Sequence, residues 1–270
     1  MLISIRHLTS YTYADPVRYT IQSLRLTPAP FKGQRVSGWT VKVAGAGPLM
    51  TFRDGFGNMV HVATIATAHD RLTIEASGRV ETSDTSGIVA GLAEPAPPRV
   101  YLRETPQTRP DGAIRELAAS INSKDTLDRL HSLSRAVRNR VEYVPGVTDA
   151  HTGAAEALAD GKGVCQDHAH IFIAAARTLG VPARYVTGYL VIDADRPSDA
   201  HHAWAEGFVE GLGWVGFDVA NGISPTERYV RLAAGLDAGY AAPVIGSRRG
   251  GSAETLDVAV EVEQQQNAQQ

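Results

Sequence analysis

Cys165, the single cysteine of this 270-residue chain, stands in Gly161-Lys162-Gly163-Val164-Cys165-Gln166-Asp167-His168-Ala169-His170. A glycine-rich turn there runs straight into an apolar helical pattern. A helix beginning at or just before Cys165 puts the sulfur at a positive dipole end, which favours the thiolate, the nucleophilic form. Downstream lie His202 in one strand-like segment and Asp218 in the next. Cysteine, histidine and aspartate are the parts of a thiol acyl-transfer site. In that chemistry Cys165 attacks a carbonyl carbon, and His202 pairs with the thiolate as imidazolium and later protonates the leaving amine. Asp218 orients the ring and stabilises its charge. The backbone N–H of Cys165 is a natural oxyanion donor. Tyr143, in the segment before this helix, is a candidate for a second.

Each of these residues has a plainer reading. A lone cysteine is usually a small buried hydrophobe. Asp167, in a first helical turn, answers the helix dipole more often than it reacts. Cys165, His168 and His170 suggest zinc by type, but the i, i+2 spacing turns the two histidines to different helix faces, and a tetrahedral site needs converging ligands. His201 alternates to the side of its strand opposite His202. Trp204 and Trp214 either line a substrate groove or merely cover a hairpin. Tyr185 and Tyr189 read as packing, and the Arg248-Arg249-Gly250-Gly251 run reads as a mobile loop.

A hairpin must position the histidine and the aspartate, and counting tests it. A three-residue loop at Glu210-Gly211-Leu212, pairing Val209 with Gly213, sets His202 opposite Ala220. Asp218 is then its diagonal neighbour on the same face. An even loop would put the two on opposite faces. Gly211 and Gly213 can supply the left-handed residue that an odd loop needs. In this register Trp204, Phe208 and Trp214 share the His202 face, and Ala203, Ala205, Val209, Val215, Phe217 and Val219 form a wholly apolar one.

Elsewhere the chain divides into two parts. Residues 1–86 read as short strands with turn punctuation: 2–13, 39–43, 59–65 and 71–82, with the turn cluster Asp54-Gly55-Phe56-Gly57-Asn58. That pattern predicts a β-sandwich-like domain. Residues 87–110 are proline-rich linker material. From 111 the period turns helical, with helices predicted near 114–121, 127–141 and 165–179, then strands at 184–192, 202–209 and 214–219. Helices followed by antiparallel strands make the fold class α+β, with a core over 111–227. A C-terminal extension, 228–270, carries a weak helix at 228–236, a possible edge strand at 257–263 and a polar tail.

Composition narrows the partners. Lys plus Arg number 26 against 29 Asp plus Glu, a formal net charge of −3, without a basic block. That gives no electrostatic case for nucleic acid. No apolar run approaches the ~18 residues that span a membrane. The N-terminus alternates and carries charge early, as a strand does and a signal peptide does not. One cysteine excludes an intrachain disulfide and fits a reducing cytoplasm, so the expected location is cytoplasmic.

Four segments together resemble the transglutaminase-like superfamily, which is papain-like in its thiol chemistry. They are the run around Cys165, then Leu179-Gly180-Val181-Pro182-Ala183-Arg184-Tyr185-Val186-Thr187-Gly188-Tyr189, then His202-Ala203-Trp204-Ala205-Glu206, then Gly213-Trp214-Val215-Gly216-Phe217-Asp218. The N-terminal part is similar to the β-domain preceding this core in a bacterial branch. Its matching pieces are residues 7–13, Pro16-Val17, residues 24–28 and the Asp54–Asn58 cluster. The resemblance implies a papain-like core with Cys165 as nucleophile, His202 as base and acid, and Asp218 as third member. Many members continue the aspartate as Asp-Pro-Thr; here it reads Asp218-Val219-Ala220-Asn221, a departure that bears on the local backbone turn and not on the carboxylate. Animal cross-linking members use calcium, but no loop of EF-hand spacing stands here, so neither metal nor cofactor is expected. The family holds cross-linking acyltransferases, peptidases and copies without catalysis.

The expected function is therefore a thiol enzyme acting on amide bonds of a peptide or protein substrate. Hydrolysis is favoured over amine transfer, because indiscriminate cross-linking would harm a cytoplasm. The rivals are a protein-glutamine acyltransferase and a non-catalytic binding or assembly module. The β-domain is left three candidate tasks: gating the groove, recruiting substrate, or holding a homo-oligomer together.

Overall fold

The computed structural model describes residues 1–192 and 201–265. The first strand, β1 (Leu2–Thr27), is 26 residues long. Ile3, Ile5, His7 and Thr9 point alternately inward along its start. It passes through Pro16 at an irregularity in the ladder, where a residue without an N–H is tolerated. β2 (Gln34–Val43), β3 (Met50–Arg53), β4 (Met59–Ile65) and β5 (His69–Thr82) follow, then the two-residue β6 (Ile88–Val89). The proline-rich stretch is folded down in two short turns, with Tyr101 buried.

Helix α1 (Gly112–Ala119) is capped by the Asp111 carboxylate on the Ile114 N–H, and α2 (Thr126–Arg140) by Asp125 on Asp128. Then come β7 (Glu142–Tyr143), α3 (Ala154–Asp160), β8 (Lys162–Gly163) and α4 (Cys165–Thr178). The chain ends in β9 (Ala183–Leu190), β10 (His201–Val209), β11 (Gly213–Phe217), β12 (Tyr229–Gly235), β13 (Val244–Gly250) and β14 (Glu254–Gln264).

The fold is α+β. One antiparallel sheet runs β2-β5-β1-β4-β3, with β13 and β14 also paired to β1. The other runs β12-β9-β10-β11-β6. Helices cover one side of the second sheet, burying Ala203, Ala205, Val209, Val215, Phe217 and Val219 against α1, α2 and α4. This is the apolar face that the hairpin count set apart. A separate core joins the sheets: Ile3, Ile5, Leu24, Leu72 and Ile74 pack with Tyr189, Val191, Val230 and Leu232. The layer opposite the N-terminal strands is thus supplied by β9 and β12.

Two expectations are corrected. Within 228–236 the chain forms a strand, Tyr229–Gly235, not a helix. All seven residues of β12 are buried, and an apolar run that short carries no period to separate the two. The arginine–glycine run is not a free loop: Arg248, Arg249 and Gly250 pair with Thr20, Tyr19 and Val17 of β1, a pairing of backbone that needs no apolar alternation. The strand expected at 257–263 is present within β14, paired to residues 3–13 of β1. Of the polar tail, residues 266–270 lie outside the described residues.

Candidate active site

The hairpin forms as counted. Val209 pairs with Gly213 and the ladder runs to Ala205 and Phe217. Gly211 and Gly213 take φ of 85° and 87°, values that favour glycine. Beyond Phe217 the chain leaves the ladder, and Asp218 bridges Ile223 instead. His202 Nε2 meets Asp218 Oδ2 at 2.7 Å.

Asp218 is fully buried, and its charge is met by more than the histidine. Oδ2 also accepts from Asn221 Nδ2 and from the Tyr229 hydroxyl, each at 2.7 Å. Oδ1 accepts the Asn221 N–H at 3.1 Å. Asn221, the residue after the Val219-Ala220 pair that departs from Asp-Pro-Thr, supplies two of these donors. The ring of His202 is enclosed by Trp204, near-parallel with centroids 6.4 Å apart, and by Tyr229 at 6.1 Å.

Cys165 is the first residue of α4 and is half-buried. The approach to it is fixed by backbone: Tyr143 pairs with Gly163, and the Val144 N–H donates to the Gly163 carbonyl at 2.9 Å. The Asp167 carboxylate folds back onto the Val164 N–H at 2.7 Å and takes the Thr148 hydroxyl at 2.7 Å. Glycine is needed at 163, since a Cβ there would lie 2.7 Å from the Asp167 side chain. The N-cap, Val164, offers the first-turn N–H groups no side-chain acceptor. Those donors are the ones an oxyanion would use.

Electrostatics tie the group together. Burial, the largest single effect, pulls the His202 imidazole down. Its hydrogen bonds to Asp218 and Cys165 and their charges outweigh it and push the value up to about 10. With Nε2 given to Asp218, Nδ1 is the nitrogen left for the sulfur. Asp218 is held below the usual carboxylate range: burial raises it, but the His202, Tyr229 and Asn221 hydrogen bonds and the His202 charge prevail.

Of the residues singled out from sequence, Cys165, His202 and Asp218 come together. Tyr143 is half-exposed beside the helix start, its ring 6.2 Å from that of His168. Trp204 and Trp214 are 3% and 4% exposed, so packing replaces groove lining for both. Trp204 backs the His202 ring. Trp214 donates to Glu94 at 2.7 Å, with the Arg184 guanidinium 3.9 Å above its ring. His168 bonds the carbonyls of Val164 and Val141, and His170 accepts the Ala238 N–H, so the two face different ways. Asn221 and Tyr229 were missed. The first had a signal, an amide three residues after an acid. The second was hidden in the segment read as a helix.

Residues 115–219 match the family model for the transglutaminase-like superfamily, and residues 3–81 match that for the bacterial transglutaminase-like N-terminal region. The chain belongs to the transglutaminase-like superfamily. An uncharacterised protein of Mycobacterium tuberculosis is 30% identical over 287 residues, covering 96% of this chain and 91% of its own length. One from Mycobacterium leprae is 28% identical over 275 residues, covering 95% and 96%. A solved structure from Cytophaga hutchinsonii, described as a "putative cysteine protease", superposes with a TM-score of 0.77 at 22% identity, over 97% of this chain and 90% of that one. That likeness is one of fold. Within this transglutaminase-like chain Cys165, His202 and Asp218 all fall in the matched core, whereas Asn221 and Tyr229 lie beyond its end.

Proposed function

We propose that this transglutaminase-like protein is a thiol enzyme that acts on amide bonds of peptides or proteins through a thioacyl intermediate. The observation that carries this reading is the His202 imidazole, bonded through Nε2 to the buried Asp218 carboxylate, which with Cys165 pushes its pKa up and favours the protonated ring. An imidazolium in that place is the counter-ion a thiolate needs. The Cys165 thiolate adds to the amide carbon, and the oxyanion forms against the first-turn N–H groups of α4. Collapse breaks the C–N bond, and the His202 proton leaves with the amine. The neutral imidazole then takes a proton from water as its oxygen attacks the thioester. The acid departs and the thiolate–imidazolium pair returns. An amine in place of water would give transfer, with the same proton steps.

Hydrolysis is the branch we favour, for a cytoplasmic setting in which free cross-linking would be harmful. The test is mass spectrometry of a glutamine-containing peptide library incubated with the full chain, with and without a primary amine, and with Cys165→Ala as control. Cleavage or deamidation that needs Cys165 supports hydrolysis, and amine incorporation in preference to both would replace it with acyl transfer. Iodoacetamide labelling of Cys165 no faster than a free thiol, and unchanged by His202→Ala, would end the enzyme reading.

A further inference from the structure

The Asp54-Gly55-Phe56-Gly57-Asn58 turn takes no part in the chemistry above, yet it is tied to the catalytic sheet. Among the described residues, β12 pairs with a strand, β9, along one edge only. Its other edge faces two buried side-chain amides from the N-terminal region. Gln34 accepts the Arg231 N–H at 2.7 Å and donates to the Arg231 carbonyl at 2.8 Å. Asn58 does the same at Ala234, accepting at 2.9 Å and donating at 2.8 Å. Each amide stands in for one residue of a neighbouring strand. Both are locked in orientation. Gln34 also donates to the Ala29 carbonyl, and Asn58 to Asp54 Oδ2, itself held by Arg25. The Thr82 hydroxyl adds a bond to the Glu227 carbonyl, just before the strand.

The first residue of β12 is Tyr229, whose hydroxyl donates to Asp218. We propose that Tyr229 is a positioning residue for the Cys165–His202–Asp218 site, and that the N-terminal region serves the site by clamping, through Gln34 and Asn58, the strand that presents it. This rests on the thiol reading above. The physical basis is shared charge. One carboxylate oxygen, Asp218 Oδ2, is divided among three donors, and each donor withdraws part of what the others receive. Removing the tyrosine hydroxyl leaves His202 facing a stronger acceptor, which holds the imidazolium proton more tightly. The groups facing the His202 ring are Cys165 from α4, Asp218 from the end of β11, Tyr229 from β12 and Trp204 from its own strand.

The experiment uses the full chain carrying Cys165→Ala, so that His202 titrates without its thiol. Its imidazole signals are followed by nitrogen–proton NMR and assigned with His202→Gln. Tyr229→Phe should raise the His202 midpoint by about half a unit to one unit. Asn58→Ala and the near-isosteric Gln34→Met should move it the same way by less, in protein shown to be folded by its melting curve. A midpoint that Tyr229→Phe leaves in place while Asp218→Asn lowers it overturns the proposal and leaves the thiol reading intact. A midpoint that Asp218→Asn also leaves in place overturns both. If only Tyr229→Phe moves it, the clamp half of the proposal is overturned.

Discussion

Replacing Asp218 by asparagine should flatten the dependence of stability on alkaline pH. His202 is raised from 6.5 to about 10 in the folded chain. A group raised on folding stabilises fully below its unfolded value, and that stabilisation is lost as pH climbs through the folded one. In a Cys165→Ala background, where no thiolate formed on folding gives up the proton that the imidazole gains, the folded chain binds one more proton than the unfolded between those limits, so stability falls by about 1.4 kcal/mol per pH unit. From pH 7 to pH 9 that amounts to about 3 kcal/mol. It is a ceiling, because the Cys165 hydrogen bond and charge that add to the shift are absent in that background. Set against a total of roughly 5–15 kcal/mol for a folded domain, it is measurable. In Asp218→Asn the leading cause of the rise is gone and burial acts against the imidazolium, so the slope should largely vanish. The variant also starts lower. An amide cannot accept from three donors on one atom and the Asn221 N–H on the other, and losing a charged acceptor costs about 1.5–3 kcal/mol. Urea unfolding at half-unit steps from pH 6 to 9.5 reads both effects. The upper limit keeps Tyr229 out, since burial and the Asp218 charge raise its phenol above the ordinary value of 10. Curves for Cys165→Ala with and without Asp218→Asn that run parallel would refute the coupling of His202 to Asp218.

Two further substitutions probe how the site is supported. Glu206 is fully buried between Arg184, at 2.5 Å, and Arg231, at 2.8 Å; Glu206→Gln should cost about 3–5 kcal/mol by leaving buried guanidinium charge uncompensated, and a urea midpoint unchanged at constant slope would contradict it. Gly188 pairs with His202, and an added Cβ would overlap the Val230 carbonyl oxygen and the Trp204 ring. Gly188→Ala should therefore cost about 3 kcal/mol or more and slow Cys165 labelling, and a melting temperature equal to wild type would show that β9 and β12 can part without penalty.

The hairpin was legible in sequence because its register has a parity. Only an odd loop puts His202 and Asp218 on one face, and only that register leaves the other face wholly apolar. The helix start at Cys165 was legible from glycines followed by an apolar period. Strand β12 was not, because burial on every side erases the alternation that marks a half-exposed strand. Strand β13 was not, because its pairing with β1 rests on backbone groups and tolerates serine, arginine and glycine. The Tyr229 contact to Asp218 went unseen for the same reason as β12. The Gln34 and Asn58 contacts span 197 and 176 residues of sequence, and no local pattern encodes which distant carbonyl an amide will meet.

Those long-range contacts bear on what the proline-rich stretch separates. It marks a change of period in the sequence, but the hydrogen bonding crosses it repeatedly. β1 is held by β5 along residues 2–12 on one side and by β14 along residues 3–13 on the other, so the last strands of the chain complete the first sheet. In return, Gln34 and Asn58 complete the open edge of β12 in the second sheet. Glu94, from within the stretch itself, holds both the Arg184 guanidinium and the Trp214 indole. A core cut free at about residue 110 would keep Cys165, His202 and Asp218. It would lose both clamps on the strand that carries Tyr229, the carboxylate that shares Arg184 with Glu206, and the face against which Val230 and Leu232 are buried. The three reacting residues lie within 54 positions of sequence, from Cys165 to Asp218. The strand that carries one of the aspartate's partners, Tyr229, is held by Gln34 and Asn58, within the first 60.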